Sequence, residues 1–277
     1  VVLCESPSYL GALNAFNAYQ PKFVEVPTDN GGLIPEELDK ILETTPNCKF
    51  IYVIPDFQNP TGRTWSMERR QKFMEVVNKH NLPVLEDNPY GELRYEGTIL
   101  PSLKSMDTKG LVMFLGTFSK IFCPGLRLGW IAAEHSLLSE FVKIKQSADL
   151  HTSNFDQGVA DAYMEQYDLD EHVKEIVALY KHRRDLILES MEKYFPAGTE
   201  WTHPEGGLFL WLTFPEGVSA RKVFNKCIEM KVAGVIGDAF YPNQKTDRSM
   251  RINYSNMPDD RIVEGIQRMA KAIKECM

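Results

Sequence analysis

The chain is poor in the features that would tie down a small secreted fold or hold a metal. Its five cysteines, Cys4, Cys48, Cys123, Cys227 and Cys276, are odd in number, scattered and never spaced Cys-x-x-Cys. That argues against a disulfide framework or a zinc ribbon and fits free thiols in a reducing compartment. The histidines His80, His135, His151, His172, His182 and His203 show no ligand spacing, so no metal is expected. No apolar stretch approaches the length needed to cross a bilayer, and no charged-apolar-small leader opens the chain. Basic residues are outnumbered, 31 against 38 acidic for a net charge of -7, and the densest basic cluster is the short Lys181-His182-Arg183-Arg184. Neither nucleic acid nor an anionic membrane is expected as a partner. These absences together predict a cytoplasmic protein without repeats or low-complexity segments.

What is present is enough apolar material for a large core: 43% hydrophobic and 11% aromatic residues in 277, a length that suggests one large domain and a smaller one. The first half alternates short apolar runs with longer amphipathic stretches, the pattern of a sheet with helices on its faces. Strands are expected at Val1 to Cys4, Phe23 to Val26, Phe50 to Ile54, Pro83 to Glu86, Leu111 to Leu115 and Gly129 to Ala133. Helices are expected at Pro35 to Glu43 and Ser66 to His80, the second opening on a serine cap and an acidic first turn. The second half changes character. Helices are expected at Ser136 to Ala148, Asp170 to Lys193, Ala220 to Met230 and Asp259 to Glu275, and strands at Gly207 to Phe214, Val232 to Ile236 and Met250 to Tyr254. The fold class is therefore α/β: a three-layer αβα large domain with a mostly parallel sheet over residues 1–155, then a linking helix and a smaller α+β C-terminal domain over 156–277.

Four motifs sit at strand ends, where open α/β sheets place ligand groups. Gly116-Thr117-Phe118-Ser119-Lys120 follows the run Leu111 to Leu115, with Arg127 shortly after in Pro124-Gly125-Leu126-Arg127. A primary amine can condense with an aldehyde, while Thr117, Ser119 and Arg127 offer donors to a phosphate dianion; this points to pyridoxal 5'-phosphate. Gln58-Asn59-Pro60-Thr61-Gly62, seen alone, reads as ordinary turn chemistry, the alternative being an Asn59 amide that donates to a cofactor's phenolic oxygen. So does Glu86-Asp87-Asn88-Pro89-Tyr90, although a carboxylate there could keep a pyridine nitrogen protonated. Arg251 lies between Met250 and Ile252 in a strand pattern; the alternation suits a solvent-facing arginine, and the alternative is a buried anchor for a carboxylate.

Taken together these motifs resemble the fold-type I pyridoxal-phosphate aminotransferases, class I/II of the aspartate aminotransferase superfamily, and within them the 2-aminoadipate and kynurenine aminotransferase branch. Further matches are Glu5-Ser6-Pro7-Ser8-Tyr9, Asp149-Leu150-His151-Thr152 and Pro204-Glu205-Gly206-Gly207-Leu208-Phe209. The resemblance implies an enzyme moving an amino group between an L-amino acid and a 2-oxo acid by a ping-pong route, as a homodimer. It implies that Tyr9 stacks on the cofactor ring, Asn59 and Tyr90 contact its phenolic oxygen, and Asp87 its ring nitrogen. Thr117, Ser119 and Arg127 would hold the phosphate. Lys120 would carry the cofactor and then move the proton, making Lys120, Asp87 and Tyr90 the catalytic set. Arg251, with Asn59, would bind the substrate, the arginine taking its α-carboxylate.

Two departures accompany the resemblance. The chain opens on Val1-Val2-Leu3-Cys4 inside an apolar run, so the family's upstream portion, with part of its phosphate loop, is expected to be missing and cofactor binding to be weak. The stretch Val232 to Phe240 lacks the usual proline and has Asp238 where a second glycine is common, which leaves the substrate open. Two other readings also stay open: a ligand-sensing, aminotransferase-like domain of a transcription regulator, and a pyridoxal-phosphate-dependent lyase.

Overall fold

The computed structural model describes residues 1–243 and 246–277. Its larger sheet has seven strands: β1 (Val2–Ser6), β2 (Phe23–Asp29), β3 (Gly32–Leu33), β4 (Phe50–Val53), β5 (Val84–Asp87), β6 (Val112–Thr117) and β7 (Gly129–Ala132). Their spatial order is β3-β2-β1-β4-β5-β6-β7. The run from β2 through β1, β4 and β5 to β6 is parallel, whereas β3 and β7 pair antiparallel at the two edges. Helices α1 (Leu10–Asn17), α2 (Pro35–Thr44), α3 (Met67–His80), α4 (Leu103–Met106), α5 (His135–Ala148) and α6 (Asn154–Gln166) accompany this sheet. The mostly parallel α/β architecture matches the expectation.

The central strands read as continuous apolar runs because both faces are covered. Leu3, Val26, Ile51, Val53 and Val84 are buried with Trp65, Phe73 and Val77 in one core under α2 and α3. The start of α3 is as the sequence predicts: the Ser66 hydroxyl accepts from the Arg69 N–H at 3.2 Å. Two carboxylates interrupt the apolar runs and work as fasteners. Glu86 in β5 accepts the N–H groups of Leu103 and Lys104 at 2.8 Å each, capping α4. Glu5 in β1 accepts from Ile54 N at 3.0 Å and Trp65 Nε1 at 3.3 Å.

The long helix α7 (Leu169–Tyr194) leads to a second, four-stranded sheet of β8 (Glu200–Trp201), β9 (Phe209–Thr213), β10 (Val235–Ile236) and β11 (Ser249–Asn253), with α8 (Ala220–Glu229) and α9 (Asp259–Cys276) packed on it. All its pairings are antiparallel, in the order β10-β11-β9-β8. The strand expected over Val232 to Ile236 shrinks to its last two residues, since the chain from Val232 to Gly234 is still leaving α8. α1, α6 and the short β8 had no sequence signal strong enough to be expected.

The two sheets are bolted together by polar contacts. Arg184 of α7 donates to the Pro204 carbonyl at 2.7 Å and ion-pairs with Glu96. The Thr202 hydroxyl donates to the Thr61 carbonyl at 2.7 Å, and the Ser8 N–H to the Phe240 carbonyl at 2.9 Å. The last two fix loops of the first sheet against the second, and those loops carry the site.

Candidate active site

Four parallel neighbours, β1, β4, β5 and β6, all end on the same side of the sheet. The loops leaving them carry Tyr9, Asn59, Asp87 with Tyr90, and Thr117 to Lys120, so chain order becomes spatial order across the sheet edge. The second sheet adds Arg251 from β11. All nine residues singled out from the sequence line one pocket of about 560 Å³: Tyr9, Asn59, Asp87, Tyr90, Thr117, Ser119, Lys120, Arg127 and Arg251.

Lys120 is half-buried and makes no ion pair among the described residues. Burial, with Arg127 and then Arg251 nearby, pushes its amine below the ordinary lysine range. Such an amine gives up its proton more readily than a solvated lysine.

Asp87 is held by a residue the sequence reading passed over. The Tyr52 hydroxyl donates to Asp87 Oδ2 at 2.5 Å, leaving Oδ1 free for another donor. Burial raises the Asp87 carboxyl and the Tyr52 bond opposes that rise. Tyr52 lies in the all-apolar run of β4, where nothing in the residue pattern distinguishes the face toward a pocket from the face toward a core.

Asn59 is the hub. Its amide nitrogen donates to the Tyr90 hydroxyl at 3.2 Å, and its carbonyl oxygen accepts from Arg251 Nη1 at 2.8 Å. Because the Tyr90 oxygen accepts, its own proton stays free to point into the pocket. Arg251 is not the solvent-facing residue that alternation suggests. Its guanidinium lies 4.1 Å from the centroid of Phe209 and 5.1 Å from that of Phe240, sandwiched where a planar cation gains most from aromatic faces.

The cluster expected to hold a phosphate is less uniform than its motif implies. The Thr117 hydroxyl is committed, donating to the Leu128 carbonyl at 2.9 Å and accepting from Ser119 N at 3.1 Å; it shapes the turn. Arg127 sits in the left-handed region at φ 55° and spends one donor on the Pro124 carbonyl at 3.1 Å, leaving the rest of its fork available. Leu10, Gly11, Ile54, Pro89 and Phe209 also line the pocket and were not singled out. At Gly11 an added Cβ would stand 2.5 Å from the Tyr9 ring and hydroxyl, so the Tyr9 side chain would have to shift to admit it.

A lone amine, a buried carboxylate with one free oxygen, a phenol with a free proton and unpaired guanidinium donors form a set that fits pyridoxal phosphate, which has a carbonyl, a ring nitrogen, a phenolic oxygen and a dianion. Residues 1–269 match the model of the aminotransferase class I and II family. The chain belongs to the class I and II aminotransferases. It is 42% identical over 281 residues to aromatic-amino-acid aminotransferase 1 of Thermococcus litoralis, covering 100% of this chain and 67% of the relative. It is 33% identical to the 2-aminoadipate transaminase of Thermus thermophilus, covering 99% and 69%. Among solved structures, the kynurenine aminotransferase of Pyrococcus horikoshii, in complex with PMP, superposes with a TM-score of 0.95 at 41% identity, covering 99% of this chain and 69% of that one. This aminotransferase thus spans about two thirds of the length of these relatives, and its cofactor is pyridoxal phosphate. The regulator and lyase readings are not favoured by these matches.

Proposed function

We propose that this chain forms most of the catalytic body of a transaminase exchanging an amino group between an aromatic or 2-aminoadipate-like L-amino acid and a 2-oxo acid. The observation that carries the reading is the placement of the unpaired Lys120 amine in one pocket with Asp87 and the aromatic-clamped Arg251. When bound, pyridoxal phosphate supplies an aldehyde for the amino group and a ring that accepts the electron pair left behind when a Cα proton is removed. The residues do the rest. Arg251 binds the substrate carboxylate as a fork, with Asn59 keeping it in plane. Lys120, its amine depressed by burial and by Arg127 and Arg251, would take up and release the substrate's Cα proton on Nζ. Asp87, raised by burial and held back by the hydrogen bond from Tyr52, would accept from the cofactor's ring nitrogen. Tyr90 would donate its proton to the phenolic oxygen, Tyr9 would face the ring, and Ser119 and Arg127 would hold the phosphate while Thr117 sets their turn.

The division into a cofactor-binding part at 1–155 and a linking helix with a smaller part at 156–277 belongs to the same proposal and is supported by the two sheets having separate cores. So do a homodimer and a cytoplasmic setting. Trp130 at 45%, Ile144 at 61% and Phe155 at 78% exposure on β7, α5 and α6 support an interface there, and five free thiols support a reducing compartment.

The test is Lys120→Ala in a full-length version of the protein. Amino transfer from glutamate and from phenylalanine to 2-oxo acids falls by about 10²–10⁴-fold or more, and borohydride no longer fixes the B6 cofactor to the chain. Retained transfer or retained covalent attachment sinks the assignment.

A further inference from the structure

Gln58 lies where the chain leaving β4 passes the chain leaving β1, and it is buried, with 2% of its surface exposed. It does not line the pocket around Lys120. Both ends of its side-chain amide are nevertheless spent on the loops that do. Nε2 donates to the carbonyl of Pro7, just before Ser8 and Tyr9, at 2.8 Å, and lies 3.5 Å from Glu5 Oε2. Oε1 accepts from the Thr61 N–H at 2.9 Å and from the Thr61 hydroxyl at 2.6 Å. A carbonyl only accepts and a backbone N–H only donates, so these partners fix which end of the amide is which. The main chain of Gln58 is occupied too, its N–H on the Arg63 carbonyl at 2.8 Å and its carbonyl on the Gly62 N–H at 2.6 Å. One side chain thus joins the Tyr9 loop to the Asn59 loop. The Tyr9 loop is tied onward, through the Ser8 N–H, to Phe240, whose ring lies 5.1 Å from the Arg251 guanidinium.

Position 58 requires a donor and an acceptor on one short planar group. Methionine would fill much the same space and answer neither loop. An ionised carboxylate would still accept from Thr61 but would face the Pro7 carbonyl and Glu5 with no donor. A protonated carboxyl has one O–H and one C=O and answers both again. Building on the roles proposed above for Tyr9, Asn59 and Tyr90, we propose that Gln58 is a positioning residue for amino transfer. It holds Tyr9 and Asn59 at one offset, so that a ring faced by Tyr9 meets Asn59 and Tyr90 in a single orientation. Gln58 acts only through these neighbours, yet a shift of about 1 Å in groups that orient a reactant is enough to cost about 10²-fold in rate.

The test compares Gln58→Met and Gln58→Glu with the unaltered full-length protein. Three quantities are read: the dissociation constant of pyridoxal phosphate, the visible circular dichroism of the bound cofactor, and the melting temperature of the cofactor-free chain. Gln58→Met is expected to bind the cofactor about tenfold more weakly, about 1.4 kcal/mol, with its dichroism reduced. Gln58→Glu is expected to recover most of that loss at pH 5.5, where a buried carboxyl keeps its proton, and to forfeit the recovery as the pH rises to 9. Each value is referred to the unaltered chain at the same pH, because Glu5 titrates beside position 58: burial pushes it up to about 8, against the bonds from Ile54, Gln58 and Trp65 and the charge of Arg63. A lower melting temperature in Gln58→Met with cofactor affinity and dichroism unchanged overturns the proposal, as does a loss in Gln58→Glu that is the same at every pH. Should Gln58→Met not fold, the pH profile of Gln58→Glu decides alone, a flat one being the overturning result. Borohydride fixation of the cofactor to Lys120 in the unaltered protein tests the parent reading separately. Without fixation that reading fails; with it, an unaffected Gln58→Met sinks only the positioning role.

Discussion

Arg251 and Asn59 stand 192 residues apart in the chain and meet at 2.8 Å, the guanidinium donating to the side-chain carbonyl. The same asparagine passes its amide N–H to Tyr90, so one side chain sets both the carboxylate fork and the phenol.

Asn59→Ala removes both contacts at once. The catalytic efficiency kcat/KM is expected to fall by the equivalent of about 1–3 kcal/mol, with KM for the amino donor carrying much of it. In a double-mutant cycle with Arg251→Lys, the two changes are expected to couple by more than about 0.5 kcal/mol, as for groups in one network. Strict additivity of the two losses would mean that Asn59 does not orient the arginine.

Tyr52→Phe deletes only the proton that Asp87 accepts. The carboxyl, raised by burial and restrained by this bond, then rises further. Its ionised form is lost on the acid side at a higher pH than in the unaltered protein. Cofactor affinity, followed by quenching of tryptophan fluorescence, is expected to drop by about 1 kcal/mol at neutral pH and by more as the pH is lowered. A uniform loss across the pH range would assign Tyr52 to packing alone.

Much of this site was legible because the chemistry sits where strands stop. Lys120, Asp87 and Asn59 each follow an apolar run, and a parallel sheet aligns such positions without any further instruction. Arg251 misled on spacing because the face of β11 opposite Met250 and Ile252 runs from buried Ser249 through half-buried Arg251 to exposed Asn253, and at Arg251 it borders the pocket; alternation separates core from solvent, not core from ligand. Tyr52 was hidden for the same reason. The commitment of Thr117 to the Leu128 carbonyl depends on how β6 and β7 pair across a turn, and no local pattern encodes that. The short strands β3, β8 and β10 are held by tertiary pairing rather than by their own residues.

The two buried glutamates give stability a definite pH slope. Burial pushes Glu5 up from 4.5 to about 8 and Glu86 to about 7, the N–H donors on each pulling the other way. A folded-state value above the unfolded one means the native chain holds the proton more tightly. The contribution is therefore full below about pH 4.5 and is lost as pH climbs through 7 and 8, at up to about 1.4 kcal/mol per pH unit per group. Urea unfolding at pH 5, 6.5 and 8 is expected to show the unaltered chain weakening relative to Glu5→Gln as pH rises. A difference between the two chains that does not change with pH would place the Glu5 titration elsewhere.

Gly62→Ala tests how tightly the Asn59 loop is held from behind. Gly62 has φ 71°, its N–H closes the turn on the Gln58 carbonyl at 2.6 Å, and an added Cβ would run into the Phe209 carbonyl and come within 3.0 Å of Pro204 Cβ. Backbone strain of this kind costs about 1–3 kcal/mol, and the obstructing oxygen belongs to β9, which cannot retreat without moving Phe209 from beneath Arg251. Two effects are therefore expected together: a melting temperature lower by about 2–4 °C for each kcal/mol lost, and a KM for the amino donor raised through Arg251 and Asn59. If only the melting temperature moves, the loop tolerates displacement and the positions of Asn59 and Phe209 are set independently of it.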